Sequence, residues 1–387
     1  MKHLSTIFLF SIPLYFAQGW LYPGGAFFAK LIALYWILLS ILCIVKCFEK
    51  KIVGREGIII LCFWLINCVY WVLSPKIVGG EFSTFNDFKK VTLVFFSYFT
   101  FSFFSSQGFL AKWRLPVFTT LLLIVFIPQY YISELTRQID FMSEDVTNNA
   151  SYNFVMLFCL LVLSYKKKLF QVIGYAICLF FIMMSAKRGA IVAFALQSVF
   201  FWHYFLHYYG SEQVSHKKSP FNIIVPILLL GVIFYYAREF FINNDYLFGR
   251  IESLVTGQDD GSNRGDMYAR IVNKSFSGPE INLLFGYGYN GSFSLIGGYA
   301  HNDWLEVLAS FGLFGDLFYF LFYTKFLSLY IKKRKKIHEL KNRMMYLASI
   351  LSLGLISLFS MGYTSEYSFL LIAVLGIVLH PQLKNSN

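Results

Sequence analysis

Residues 150–208 read ASYNFVMLFCLLVLSYKKKLFQVIGYAICLFFIMMSAKRGAIVAFALQSVFFWHYFLHY. Three apolar blocks, 150–164, 169–185 and 189–208, are separated only by Lys166-Lys167-Lys168 and by a short turn holding Lys187 and Arg188. Apolar blocks of roughly 16–25 residues are long enough to cross the bilayer core as helices. The same pattern recurs along all 387 residues, with further blocks near 4–22, 26–45, 57–74, 91–106, 115–132, 220–237, 302–328, 345–362 and 368–380. Apolar residues make up 57% of the chain and charged residues 14%, against about 45–50% and about 25% in soluble domains. A water-soluble core cannot hide 45 phenylalanines among so few charges. The expected fold is an all-α integral membrane protein of about twelve transmembrane helices, one polytopic domain over 1–387. A soluble nucleic-acid binder is excluded despite the net charge of +12.

Lys and Arg set the orientation. With the N-terminus in the cytoplasm, the inner loops hold Lys46, Lys50, Lys51, Arg55, Lys112, Arg114, Lys166 to Lys168, Lys217, Lys218 and the run Lys332 to Lys336. Most acids then fall outside. This is the positive-inside pattern, so most of the basic excess is an orientation signal. Both termini are expected in the cytoplasm. Residues 1–22 carry a weak small-x-small site, Ala17-Gln18-Gly19, but are read as the first span.

The six cysteines lie in or beside spans, as buried small hydrophobes would, and show no metal-binding spacing. Among the seven histidines only His301 faces outward. His203 and His207 share a helix face with no third ligand in view, which suits interfacial anchoring.

One loop is long: 238–300, on the outer side, where long loops are usually functional. Within it, Asn263 is expected to cap a helix over 264–276 with Asp266 at its third position. Residues 285–300, FGYGYNGSFSLIGGYA, are Gly- and Tyr-rich. Gly286 to Gly291 match G-x-G-x-x-G literally, but no strand–helix unit surrounds them. They are read as a loop that bends over a substrate, with Tyr289 and Tyr299 available to stack on sugars.

Lys187 and Arg188 break the positive-inside pattern, as an anion held at the outer surface would require; lipid phosphates are the other partner. The outer side also holds Arg137, Arg238, Arg250, Arg264 and Arg270, and Arg is far more frequent among its basic residues than on the inner side. Arg presents a planar fork suited to phosphate, whereas Lys is a point charge; surface salt bridges are the competing use. At Ala300-His301-Asn302-Asp303-Trp304-Leu305-Glu306, Asn302 or Asp303 can cap the next helix, and Asp303 with Glu306 can form a capping box. That leaves His301 without a structural reason, and an imidazole is the common general base near neutral pH. Asp316, deep in the next span, and Lys30 are the intramembrane charges.

Three pieces therefore stand in order: Ser-x-x-Arg-Gly at 185–189, Asn-Arg-x-x-x-Tyr at 263–268 and His-Asn-x-x-Leu-Glu at 301–306, followed by Gly312-Leu313-Phe314-Gly315. This arrangement, over about residues 180–325, resembles the O-antigen ligase and O-antigen polymerase superfamily of bacterial inner-membrane glycosyltransferases. Asp316 departs from it, since that family usually continues apolar there. The resemblance implies a GT-C-like, metal-independent transferase without a cofactor, in the bacterial inner membrane and acting on the periplasmic side. Its donor would be an oligosaccharide on undecaprenyl diphosphate. The acceptor would be another lipid-linked repeat unit in a polymerase, or the lipid A core in a ligase. Membrane lipids and a chain-length regulator protein are the other implied partners.

Carried over by motif, Arg188 and Arg264 would hold the diphosphate and His301 would act near the acceptor hydroxyl. Lys187, Arg250, Arg270, Asn302, Tyr268 and Tyr289 complete the expected substrate-binding set. The chemistry agrees: arginines aimed at a departing diphosphate stabilise the charge it develops. Polymerase is the first reading, from the short interval between Gly286-Tyr287-Gly288 and His301; ligase is the second. A lipid-linked oligosaccharide transporter is a third, for which only Asp316 and Lys30 speak.

Overall fold

The computed structural model describes residues 1–73, 85–111, 113–139, 148–185, 187–211 and 264–381. Within them the protein is helical: α1 (Lys2–Phe16), α2 (Phe27–Glu49), α3 (Arg55–Leu73), α4 (Phe85–Ser106), α5 (Arg114–Ile139), α6 (Ser151–Ser164), α7 (Lys168–Met184) and α8 (Arg188–Ser211). After the segment 212–263 come three short helices, α9 (Arg264–Ser277), α10 (Glu280–Phe285) and α11 (Gly291–Ile296), then α12 (Asp303–Lys333), α13 (Leu340–Phe359) and α14 (Phe369–Leu379). The expected span at 220–237 lies outside the described residues.

Among the described residues six helices are long and apolar enough to cross a membrane: α2, α3, α5, α8, α12 and α13. The helices α6, α7 and α14 are apolar but shorter. The protein is thus a helical membrane protein; of the twelve spans expected from the sequence, length and composition single out these six among the described residues. Two differences have local causes. The first helix stops at Phe16 rather than reaching residue 22, with Gly19 at φ +91 in the turn that follows. The fourth begins early, and its first turns carry Asp87, Lys89 and Lys90, which lower its hydropathy.

The amphipathicity is turned outward. On α2, Phe27, Leu31, Leu34, Leu38, Leu42 and Val45 form one exposed apolar stripe. The opposite face buries Ala29, Ala33, Trp36, Ser40, Cys43 and Cys47. Lipid offers no hydrophobic incentive for helices to associate, so small residues and interhelical hydrogen bonds must do it.

The centre of the bundle, α4 packed on α14, follows that rule. Gly376 of α14 sits so close to α4 that a Cβ would lie 2.8 Å from both Ser102 Oγ and the Tyr98 carbonyl oxygen. Along α4, Thr100 donates to Ser40 of α2 at 2.8 Å and Ser105 donates to the Ile377 carbonyl at 3.1 Å. The run VTLVFFSYFTFSFF reads as a plain apolar span, yet its hydroxyls are the stitches of the core.

The basic loops expected inside meet one another at one end of the bundle. Lys50 donates to Gln107 at 2.8 Å, and Lys341 reaches the Leu163 carbonyl at 3.3 Å. All six cysteines are free thiols, four of them buried. His203 and His207 lie with their rings 4.3 Å apart, and no group of three metal-ligating side chains occurs among the described residues.

Candidate functional site

At the other end of the bundle lies a cavity of about 710 Å³. Its walls come from the turn after α1, the start of α4, the outer parts of α5 and α6, the turn before α8, the start of α9, residues 290–301 and residues 356–367. Each of these segments is one that the charge pattern assigns to the outer side. Ends separated by hundreds of residues in sequence therefore converge on one space.

Three of the expected site residues line it: Lys187, Arg264 and His301. Arg264 opens α9 and donates through a guanidinium nitrogen to the Phe359 carbonyl at 3.0 Å, which ties the outer segment to the end of α13. Beside it stands Tyr152 of α6, close to Ser360. The glycine of the Ser-x-x-Arg-Gly edge makes room for that phenol, since a Cβ at Gly189 would lie 2.2 Å from the Tyr152 hydroxyl.

The serine of the same edge is also structural. Ser185 Oγ donates to the Ile182 carbonyl at 2.6 Å and accepts from the Lys187 N–H at 3.2 Å. Its carbonyl takes the Asn148 N–H at 3.1 Å. Asn148, buried at 2% exposure, also donates to the Tyr130 carbonyl and accepts from Ser133. Asn148, just before α6, thus fixes the turn that presents Lys187.

His301 and the start of α12 depart from the expected capping box. Asn302 is the cap: its side-chain oxygen accepts from the Leu305 N–H at 3.1 Å, and its amide donates to the Leu358 carbonyl at 3.1 Å. Asp303 and Glu306 instead turn inward, both fully buried. Asp303 accepts from the Tyr319 hydroxyl at 2.7 Å and from the Tyr363 N–H at 3.1 Å. Glu306 accepts from Ser292 at 2.5 Å, from the Ala300 N–H at 3.2 Å and from Ser310 at 3.1 Å. The two acids hold the loops on either side of His301, whose backbone is left-handed at φ +50. Buried acceptors without donors are costly, so these bonds specify the loop positions. Replacing Glu306 with Ala is expected to lower stability by roughly 2–4 kcal/mol, from three stranded partners and a small cavity. Glu306→Gln should retain most of it. Thermal unfolding of the purified protein in detergent checks this; an E306A variant melting at the wild-type temperature would refute it.

The Gly- and Tyr-rich stretch is also corrected. It borders the cavity through Asn290 and Tyr299, and its glycines latch it onto a break in α12. Gly312 interrupts that helix with φ 65 and ψ −165. The break releases carbonyls that a continuous helix would use, and the loop takes them: Tyr287 N–H to Ala309 at 2.8 Å and Gly288 N–H to Ser310 at 3.2 Å. Such close approach excludes side chains; a Cβ at Gly291 would lie 2.2 Å from the Ala309 oxygen. Ile271 of α9, Leu295, Ala300 and Ala309 form a small separate core beneath this latch, and it positions both Arg264 and His301.

Of the remaining expected residues that are described, only Tyr299 reaches the cavity wall. Arg188 begins α8, half-buried, one residue beyond Lys187. Arg270 is exposed on α9. Tyr268 donates to the His301 carbonyl at 3.4 Å, and Asn302 is spent on capping. Tyr289 is buried against Phe311, so it is not open to stack on a sugar, whereas Tyr299 does line the cavity. Burial raises both phenols above their ordinary pKa, helped by the negative charge of Asp87 and Glu306, so both stay neutral. Arg250 and Arg238 lie outside the described residues, as does Asn263, the expected cap of α9; for Arg137 only the backbone is described. Asp316 and Lys30 do not line the cavity.

The cavity also contains residues that the sequence reading passed over. Lys90 lines it, paired with Asp87 at 3.6 Å. Lys89-Lys90 breaks the positive-inside pattern as Lys187-Arg188 does, so the same signal was present. Gln18, Gln129, Asn149 and Asn153 line it too, and nothing in their local sequence marks them.

Residues 173–320 match the family model described as O-antigen ligase. The match covers the Ser-x-x-Arg-Gly edge, α9 and the His301–Gly315 stretch, the segment on which the resemblance rested. A search of curated proteins returned no match.

Proposed function

We propose that the protein polymerises undecaprenyl-diphosphate-linked oligosaccharide repeat units into O-antigen or capsular polysaccharide, at the periplasmic face of the bacterial inner membrane and in a GT-C-like architecture. The observation that carries this reading is the presence of Arg264, Lys187 and His301 in one cavity, within the segment that matches the O-antigen ligase family. Outside the cytoplasm no nucleotide sugar is available, so the donor must arrive already activated on a lipid diphosphate.

In the proposed step an acceptor hydroxyl attacks the donor's anomeric carbon. The bond from that carbon to the diphosphate oxygen breaks, and undecaprenyl diphosphate leaves with the electron pair. His301 takes the hydroxyl proton. Arg264 and Lys187 hold the departing anion, with Arg188 behind them. No cofactor is part of the proposal. A chain-length regulator is the protein partner expected beside the lipid substrates.

The description of the matching family favours a second reading, in which the acceptor is the lipid A core. The glycolipid banding pattern of a deletion strain separates the two. A core carrying a single repeat unit, with the ladder gone, is the expected result. Polymer that forms but stays on undecaprenyl diphosphate supports the ligase. Repeat units accumulating on the cytoplasmic leaflet would overturn both and favour a transporter.

A further inference from the structure

The cavity is lined by two kinds of polar side chain, charged and neutral. Its charged residues, Asp87, Lys90, Lys187 and Arg264, come from α4, the turn before α8 and the start of α9. The wall made by the turn after α1, by α5 and by α6, closed by Thr364, Ser365 and Tyr367, lines the cavity with uncharged side chains; Glu366, between them, is not among the lining residues and accepts from the Tyr15 hydroxyl at 2.7 Å. This wall presents Gln18, Gln129, Asn149, Asn153 and the Tyr367 phenol, with serine and threonine hydroxyls between them.

Asn149 is exposed, whereas Gln18, Gln129 and Asn153 are held in place. Asn153 is only 4% exposed, in the first turn of a helix that is otherwise apolar. Its amide nitrogen lies 3.5 Å from Gln129 Oε1, and both side chains reach the Tyr367 phenol. Gln129 also donates to the Phe16 carbonyl, and Gln18 accepts from the Gly25 N–H at 3.2 Å. Phe16 stacks on Tyr367 with ring centroids 4.9 Å apart, which sets the plane of the phenol. An amide carries two donors and two acceptor lone pairs, and the bonds among the described residues use part of that capacity.

A preorganised row of amides, in a cavity within the roughly 300–1,000 Å³ of small-molecule sites, fits a ligand dense in hydroxyls and free of charge. Apolar lipid chains would leave the amides unpaired. An anion would prefer Lys90, Lys187 and Arg264.

We propose that Gln18, Gln129, Asn149, Asn153 and Tyr367 form a saccharide subsite that takes a neutral, hydroxyl-rich ring of the lipid-linked substrate. This rests on the glycan-transfer reading above and adds where the glycan lies relative to Arg264 and His301.

The test is direct binding rather than turnover. The full-length protein in nanodiscs is titrated with the oligosaccharide repeat unit, released from its lipid diphosphate by mild acid, and separately with undecaprenyl diphosphate. Wild type is expected to bind the oligosaccharide, and Q129L/N153L to bind it about tenfold or more weakly. N153Q should restore much of that loss, and the double variant should keep its affinity for undecaprenyl diphosphate, which shows that it is folded. Oligosaccharide binding that Q129L/N153L leaves unchanged overturns the subsite. A wild-type protein that binds undecaprenyl diphosphate but no oligosaccharide also overturns it and leaves the transfer reading standing. A protein that binds neither overturns both. Methylating the terminal hydroxyls of the oligosaccharide separates two origins, and both support the subsite: unchanged affinity places a donor glycan on the wall, and lost affinity places an acceptor glycan there.

Discussion

Arg264→Ala is expected to lower glycan transfer by about 10²–10³-fold, the usual consequence of removing one group aimed at charge that develops in a transition state. The guanidinium uses one N–H on the Phe359 carbonyl at 3.0 Å. It has five in all, and its place in the cavity wall leaves the rest of the fork toward the substrate. Arg264→Lys keeps the charge but not the planar fork, so it should recover only part of the rate. His301→Ala should give a loss of similar size, and the double variant should be little worse than either single one if the two groups act as a unit on one step. The readout is the polysaccharide ladder of a deletion strain carrying each variant at matched protein levels, with the lipid-linked repeat unit quantified beside it. Accumulated repeat unit and a lost ladder are expected. An R264A strain with a wild-type ladder would remove Arg264 from the site.

The second large effect is structural. Gly312→Ala should destabilise the protein by roughly 2–6 kcal/mol, from backbone strain and overpacking together. At φ 65 and ψ −165 the position belongs to glycine alone. A Cβ there would stand 2.4 Å from the Leu284 carbonyl carbon and 2.5 Å from the Phe285 nitrogen, which are backbone atoms and cannot swing aside. The latch between the 286–291 loop and the opened carbonyls of α12 should come undone, and His301 and Arg264 lose their shared support. Leu313→Ala, one residue on and 42% exposed, is the contrast and should stay within about 0.5 kcal/mol. Thermal unfolding in detergent and steady-state abundance in membranes measure both. A G312A protein as stable as wild type would mean that the helix break is not what seats the loop.

What could be read from the chain in advance depended on how local the physics is. Apolar runs and their basic borders are local, so the helices at 27–49, 55–73 and 188–211 were legible, as was the sorting of loops into two sets. The helix at 264–277 was legible from its start signal, with Asp266 in the first turn. His301 and Arg264 stood out because they were unusual for their side of the chain.

The roles of Asp303 and Glu306 were not legible. A D-x-x-E pattern at a helix start looks the same whether the acids cap the helix or hold Tyr319, Tyr363 and Ser292 from neighbouring elements. The glycines of 286–291 were equally ambiguous, since freedom to bend and room for a close approach call for the same residue.

By itself, then, the sequence determined a helical membrane protein, its two sets of loops and the segment in which reactive groups are concentrated, because composition and period act over a few turns of chain. Only the tertiary structure decided which outer residues share one space. It brought Lys90, Gln129 and Asn153 to Arg264 and His301, left Arg270 exposed and buried Tyr289. Those outcomes depend on the packing of α4, α5 and α6 against helices far away in sequence, and on one glycine whose backbone opens a helix to receive a loop.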